Sequence, residues 1–211
     1  MPMAVGLSRL HFPVTTLGPG KRIGIWFQGC SLLCPGCLSP ETWRFTRDKI
    51  AMATLVEQLR PWYPQADGIT ISGGEPFDQP QALSQLLSAI RQDFNGNILV
   101  FSGYPYATII PYLSTMAGLI DALVSGPFEQ ESPQTLQLRG SDNQVLHLLT
   151  EVGKTHFSDF EQPLNDQEKV LDMTLDRQGR VSLIGIPRRD DLIRLRAFLE
   201  QQGHSFAPVT K

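Results

Sequence analysis

Apolar positions in the first two-thirds of the chain fall into two patterns: short continuous runs, and runs at helical spacing. Ile23–Phe27, Gly68–Ser72, Asn97–Ser102 and Ile120–Val124 are continuous, and each has the length of a strand covered on both faces. Pro80–Phe94 instead carries Leu83, Leu86, Leu87 and Ile90 on one helix face, with Pro80 in the first turn, where its missing N–H is harmless. Met52, Leu55, Val56 and Leu59 predict another helix over Asp48–Arg60, stopped by Pro61. Tyr106–Leu113 predicts a short helix broken near Pro111. Strands alternating with helices predict a parallel sheet with helices packed outside it.

The pattern changes after residue 150. Val170–Leu175 and Arg180–Ile184 flank Asp176-Arg177-Gln178-Gly179 and predict a hairpin. Asp190–Gln202 predicts a helix with Leu192, Leu195, Phe198 and Leu199 on one face, Asp190 as its cap and Gly203 as its stop. Two segments are therefore expected: a core over 1–150, and a small C-terminal appendage of hairpin plus helix over 151–211.

In parallel α/β folds, reactive groups gather beyond the C-terminal ends of the strands. Here Cys30 follows the first strand, Gly73-Gly74-Glu75 the second, Ser102-Gly103 the third and Ser125-Gly126 the fourth. The agreement of four strand ends points to one site.

Composition narrows the chemistry. A formal net charge of −3 with no basic cluster argues against nucleic-acid or acidic-membrane partners. No apolar run is long enough for a membrane span, and the N-terminus does not read as a signal peptide; a cytoplasmic protein is expected. The chain has 3 cysteines, all within Cys30-Ser-Leu-Leu-Cys34-Pro-Gly-Cys37. An odd, clustered set does not make a disulfide framework and reads as a metal or cluster site. Three thiolates on one loop can hold three irons of a [4Fe–4S] cluster and leave the fourth open to a ligand. Structural zinc is the alternative, but it asks for four ligands, and the histidines His11, His147, His156 and His204 lie far off in sequence.

This CxxxCxxC segment after a first strand resembles the signature of the radical S-adenosylmethionine (SAM) superfamily. Gly73-Gly74-Glu75-Pro76 resembles its GGEP stretch, which holds the methionine amino group. Glycines there let backbone carbonyls approach an ammonium, and Glu75 adds a negative partner. Four further stretches resemble glycyl-radical activating enzymes of the anaerobic ribonucleotide reductase type. They are Cys34-Pro-Gly-Cys37 with Glu41-Thr42-Trp43, Phe101-Ser102-Gly103-Tyr104, Asp121–Phe128, and Leu138-Arg139-Gly140-Ser141-Asp142-Asn143-Gln144.

The resemblance implies an incomplete parallel α/β barrel, open on one side so that a partner protein can present a backbone loop. It implies a [4Fe–4S] cluster on Cys30, Cys34 and Cys37, and SAM held by Gly73, Gly74, Glu75 and Pro76 with Ser102, Arg139 and Asn143 nearby. It implies reductive SAM cleavage to a 5′-deoxyadenosyl radical that abstracts hydrogen from a glycine of the partner. An electron donor such as flavodoxin or ferredoxin is implied too. The alternatives are a radical SAM enzyme acting on a peptide or small molecule, and a non-catalytic zinc module. Ser39 and Ser125 stand where the family pattern has asparagine and aspartate, which leaves a cation site at Ser125 open. The cluster and GGEP motifs sit on different strand ends and are expected to act separately, and the appendage is expected to choose the partner rather than take part in SAM cleavage.

Overall fold

The computed structural model describes residues 3–165, 170–175 and 181–204. Its strands are β1 (Ala4–Val5), β2 (Leu7–Val14), β3 (Arg22–Phe27), β4 (Ile50–Ala51), β5 (Gly68–Gly73), β6 (Asn97–Ser102), β7 (Ala122–Ser125), β8 (Val145–Leu148), β9 (Leu171–Leu175) and β10 (Val181–Gly185). Its α-helices are α1 (Met52–Leu59), α2 (Pro80–Asp93), α3 (Tyr106–Thr115), α4 (Glu151–Phe157) and α5 (Asp191–Gln201). The architecture is mixed α/β around a sheet of order β2-β3-β5-β6-β7-β8. The four central strands run parallel, while β2 and β8 pair antiparallel at the two edges. The wholly parallel sheet expected from the strand–helix alternation is thus bounded by antiparallel strands. Both lie where the apolar pattern is weak, because an edge strand needs only one neighbour and partial burial.

Side-chain alternation assigns the two faces of the sheet. Ile23, Ile25 and Phe27 of β3, Ile69 and Ile71 of β5, Ile98 and Val100 of β6 and Leu123 of β7 share one buried core with Leu55 and Leu59 of α1 and Leu83, Leu86, Leu87 and Ile90 of α2. Leu99, Ala122 and Val124 turn to the opposite face, where they meet Leu146 and the fully buried Phe157 of α4. Trp26 shares this second face and packs with Val14, Leu17 and Ile184 of the C-terminal hairpin.

Several elements differ from expectation. The first helix begins at Met52, because Ile50 and Ala51 pair with Val5 and Ala4 instead. α3 runs through Pro111 to Thr115; the proline and Ala107, whose carbonyl it leaves unbonded, are both exposed, so water can replace the missing bond. Asp190 makes no capping bond, and the Asp191 carboxylate accepts from the Arg188 backbone N–H at 2.9 Å. α5 has no buried residue and Phe198 is 57% exposed, so the apolar face read from its spacing is not buried. The hairpin itself forms, with Val181 opposite Leu175, while its turn at residues 176–180 lies outside the described residues. Among the described residues no helix is long and apolar enough to cross a membrane.

Candidate active site

The three cysteines occupy the loop that leaves β3. They are unpaired and partly buried. The loop is anchored at its start: the Gly29 N–H donates to the Thr42 carbonyl at 2.7 Å, and the Cys30 N–H to the Trp43 carbonyl at 3.0 Å. Gln28 ties the far side, its amide donating to the Arg44 carbonyl at 2.7 Å. Within the loop, the Cys37 N–H donates to the Cys34 carbonyl at 3.2 Å and the Ser39 N–H to the Cys37 sulfur at 3.4 Å. Burial pushes the Cys30 thiol up, with Glu75 and Asp78 adding to the effect, against backbone N–H donors at Leu32 and Leu33. A cationic iron centre would offset that penalty on a thiolate.

The Gly73–Pro76 turn is not independent of this loop. The Glu75 N–H donates to the Gly29 carbonyl at 2.8 Å, and the Gly74 N–H to the Phe27 carbonyl at 2.9 Å. A Cβ on Gly74 would collide with the Gly29 carbonyl, and Gly73 sits at φ +106° against the Phe27 backbone. Glycine is required at both positions by that close approach.

Glu75 is 1% exposed and joins two strand ends. Its carboxylate accepts from the Phe77 N–H at 2.9 Å, the Ser102 hydroxyl at 2.9 Å and the Gly103 N–H at 2.8 Å. Burial pushes its pKa up to about 7, against those three donors. Ser102 therefore joins the site through Glu75. Asp78, one turn further on, was not marked by any sequence motif. It accepts from the Ser31 N–H at 2.7 Å, the Ser31 hydroxyl at 3.0 Å and the Tyr104 hydroxyl at 2.7 Å. It thus fastens the cysteine loop to the turn after β6.

Next to this junction lies a cavity of about 630 Å³, within the usual range for small-molecule sites. Gly36, Cys37 and Ser39 of the loop, Ser72 and Gly73 of β5 and Phe101 of β6 line one part of it.

The Leu138–Gln144 stretch divides. Gly140 and Gln144 line the cavity. Arg139 does not: it is 2% exposed, and its guanidinium donates to the Gln144, Gln137 and Phe160 carbonyls and to Glu161 at 2.7 Å. Its visible employment is bracing a loop. Asn143 donates to the Pro127 carbonyl at 2.8 Å, and its buried Oδ1 has no partner. Asn143, like Arg139, is absent from the cavity lining. At the end of β7, the Ser125 hydroxyl meets His147 Nε2 at 2.9 Å, and the His147 ring stacks on Tyr106 at 4.0 Å. From sequence alone His147 has no role beyond being set aside as a zinc ligand.

Residues 16–147 match the family described as 4Fe-4S single cluster domain. The anaerobic ribonucleoside-triphosphate reductase-activating protein of Escherichia coli K12 is 33% identical over 149 residues, which cover 66% of this chain and 96% of that protein. The chain belongs to this activating-protein family. Two other members are those of Haemophilus influenzae, 29% identical over 65% of this chain and 94% of the relative, and of phage T4, 28% identical over 61% and 85%. A slight structural likeness, TM-score 0.40 at 18% identity, relates 47% of this chain to 53% of QueE from Escherichia coli. The family's single [4Fe–4S] cluster suits the donor set: three free thiols on one loop, with no fourth cysteine in the sequence. Among the described residues no group of three His, Cys, Asp or Glu side chains converges on a single ion. Thiolates on separate irons do not need that convergence, whereas around one zinc they would stand about 4 Å apart.

Proposed function

We propose that this chain is a radical SAM activating enzyme that generates a glycyl radical on a partner of the anaerobic ribonucleotide reductase type. The observation that carries the reading is the bond from the Glu75 N–H to the Gly29 carbonyl, which joins the turn proposed to hold SAM to the residue preceding Cys30. In this reading Cys30, Cys34 and Cys37 hold the cluster, and Gly73–Pro76 receive the methionine ammonium. When bound and reduced, the cluster supplies the electron that divides SAM into methionine and a 5′-deoxyadenosyl radical. The protein's own residues orient and shield. Glu75, with one carboxylate oxygen bonded among the described residues only to the Gly103 N–H, presents negative charge to the ammonium. Trp26 and Phe101 exclude water from the second face of the sheet. Ser102 acts through Glu75. Flavodoxin or ferredoxin is the proposed class of electron donor.

The finer fold reading is that the parallel strands with their antiparallel edges form a partial barrel. A second substrate class, a peptide or small molecule, is favoured by the hairpin that covers part of the second face, through Ile184 packed on Trp26.

Anaerobic reconstitution is expected to give a brown protein with about four irons and four sulfides per chain, most of them lost in Cys34→Ala. The reduced protein should convert SAM to methionine and 5′-deoxyadenosine. Addition of a glycyl radical enzyme should then produce a glycine-centred electron paramagnetic resonance signal. A colourless protein holding one zinc would overturn the cluster reading. SAM cleavage without any such signal would transfer the assignment to the second substrate class.

A further inference from the structure

The family match ends at residue 147, and the E. coli relative is almost fully covered by 66% of this chain. The hairpin β9–β10 and the strap that follows it, Ile186–Asp190, lie beyond the matched residues. They are nevertheless built into the site. Asp172 of β9 is 7% exposed and accepts from the Thr15 N–H at 2.7 Å, the Thr15 hydroxyl at 2.7 Å and the Thr16 hydroxyl at 3.0 Å. Ile184 of β10 is buried with Val14, Leu17 and Trp26. The Gln134 amide donates to the Pro187 carbonyl at 3.1 Å, and the Arg189 guanidinium to the Ser132 carbonyl. Thus the cavity that has Cys37, Ser72 and Gly73 on one part of its lining has Leu171, Leu183, Ile186, Pro187, Arg189 and Leu192 on another.

We propose that this hairpin and strap form an inner wall of the cofactor cleft and determine which reactant can share it with SAM. The proposal rests on the reading of the cleft as the SAM site. The wall is apolar at Leu171, Leu183, Ile186 and Pro187, with Arg188, Arg189 and the single carboxylate of Asp190 beside them, an excess of positive charge. It therefore suits a reactant that presents an apolar flank and a carboxylate. A cavity of about 630 Å³ is that of a small-molecule pocket, too small to take a folded surface. The appendage is thereby a specificity-determining part of the cleft itself, not a remote docking module.

Two variants test this without touching the cysteine loop or the Gly73–Pro76 turn. Leu183→Trp fills the cavity from the wall side, and Asp172→Asn weakens the pin to Thr15 and Thr16. In full-length protein before reconstitution, labelling of Cys37 by a bulky maleimide, with Cys34 as the internal reference, should slow about fivefold in Leu183→Trp and quicken about as much in Asp172→Asn. After reconstitution, Leu183→Trp should bind SAM about tenfold more weakly at unchanged iron content, a difference of about 1.4 kcal/mol. Unchanged labelling and unchanged SAM affinity in both variants, beside a wild type that binds SAM, would overturn the wall. A wild type that carries its cluster and binds no SAM would overturn the cofactor reading instead. Should Asp172→Asn fail to fold, Leu183→Trp still decides, because its side chain is only partly buried and lies on the cavity.

Discussion

Glu75 shows how burial sets the ionisation of a carboxylate that also ties two strand ends together. Its pKa stands near 7 rather than 4.5 because burial disfavours the anion more than its three donors favour it. The folded state therefore binds the proton more tightly than the unfolded state does. Its contribution to stability is full below about 4.5 and is lost as pH rises through about 7. Apoprotein stability measured by urea unfolding should fall across that window, and Glu75→Gln should flatten the slope. A bound ammonium acts in the opposite sense by favouring the anion, so SAM affinity should rise with pH through about 7 and lose that rise in Glu75→Gln. Gly74 makes a second residue-scale case. The cluster and SAM motifs were expected to act separately, yet a side chain at Gly74 would displace the Gly29 carbonyl beside Cys30. Gly74→Val should therefore lower iron content after reconstitution as well as SAM binding, and normal iron with weakened SAM binding would restore the separate view.

At the scale of elements, the end of the sheet opposite the site is closed by an arginine. Arg22, at the start of β3, is fully buried. It donates to the Thr70 hydroxyl at 2.6 Å, the Asn97 side-chain oxygen at 2.6 Å and the Ile69 carbonyl at 2.7 Å, and lies over the Phe157 ring at 5.4 Å. One side chain thus ties β3, β5 and β6 at their N-terminal ends and meets α4. Burial lowers its pKa to about 9, with Asp121 and Asp67 opposing. Arg22→Met would keep much of the volume while leaving those acceptors unsatisfied, at about 1–3 kcal/mol each where water cannot reach. The urea midpoint should drop, with spacing of the distant cluster loop and reconstituted iron per folded chain unchanged. α4 belongs to the same unit: the Thr150 hydroxyl caps its Gly153 N–H at 3.0 Å and donates to Asp121 at 2.6 Å, and Phe157 is buried against the sheet. The compositional change near residue 151 therefore does not coincide with a change in packing.

For the whole molecule, the decisive relation is between the sheet's second face and the C-terminal hairpin. Val14, Leu17 and Trp26 are at most 8% exposed, and Ile184 is among the residues that cover them. A chain ending near residue 164 would uncover this apolar surface, and such patches promote association. The truncated protein should show added light scattering and a lower urea midpoint than the full chain. A monodisperse truncate of full stability would show that the hairpin contributes nothing to the fold.

The central strands and α2 were legible because their burial is periodic: Ile69 and Ile71 or Leu83, Leu86 and Leu87 leave no other comfortable arrangement. The cysteine loop and the Gly73–Pro76 turn could be singled out because the chemistry proposed for them depends on residue type and short spacing. Asp78, His147 and the edge strands were not, since each gains its meaning from partners far along the chain: Asp78 from Tyr104, His147 from Ser125. α5 misled because an amphipathic pattern reports a face suited to burial, not a surface present to bury it, and here Phe198 remains exposed. By itself the sequence singled out the residues proposed to bear the chemistry, because thiolates, glycines and a carboxylate act through atoms that local spacing already groups. Only the tertiary structure decided that the two motifs share a hydrogen bond and that the hairpin walls the same cavity. Contacts across 46 residues from Gly29 to Glu75 and 157 from Thr15 to Asp172 exist only once strand order and packing bring those segments together.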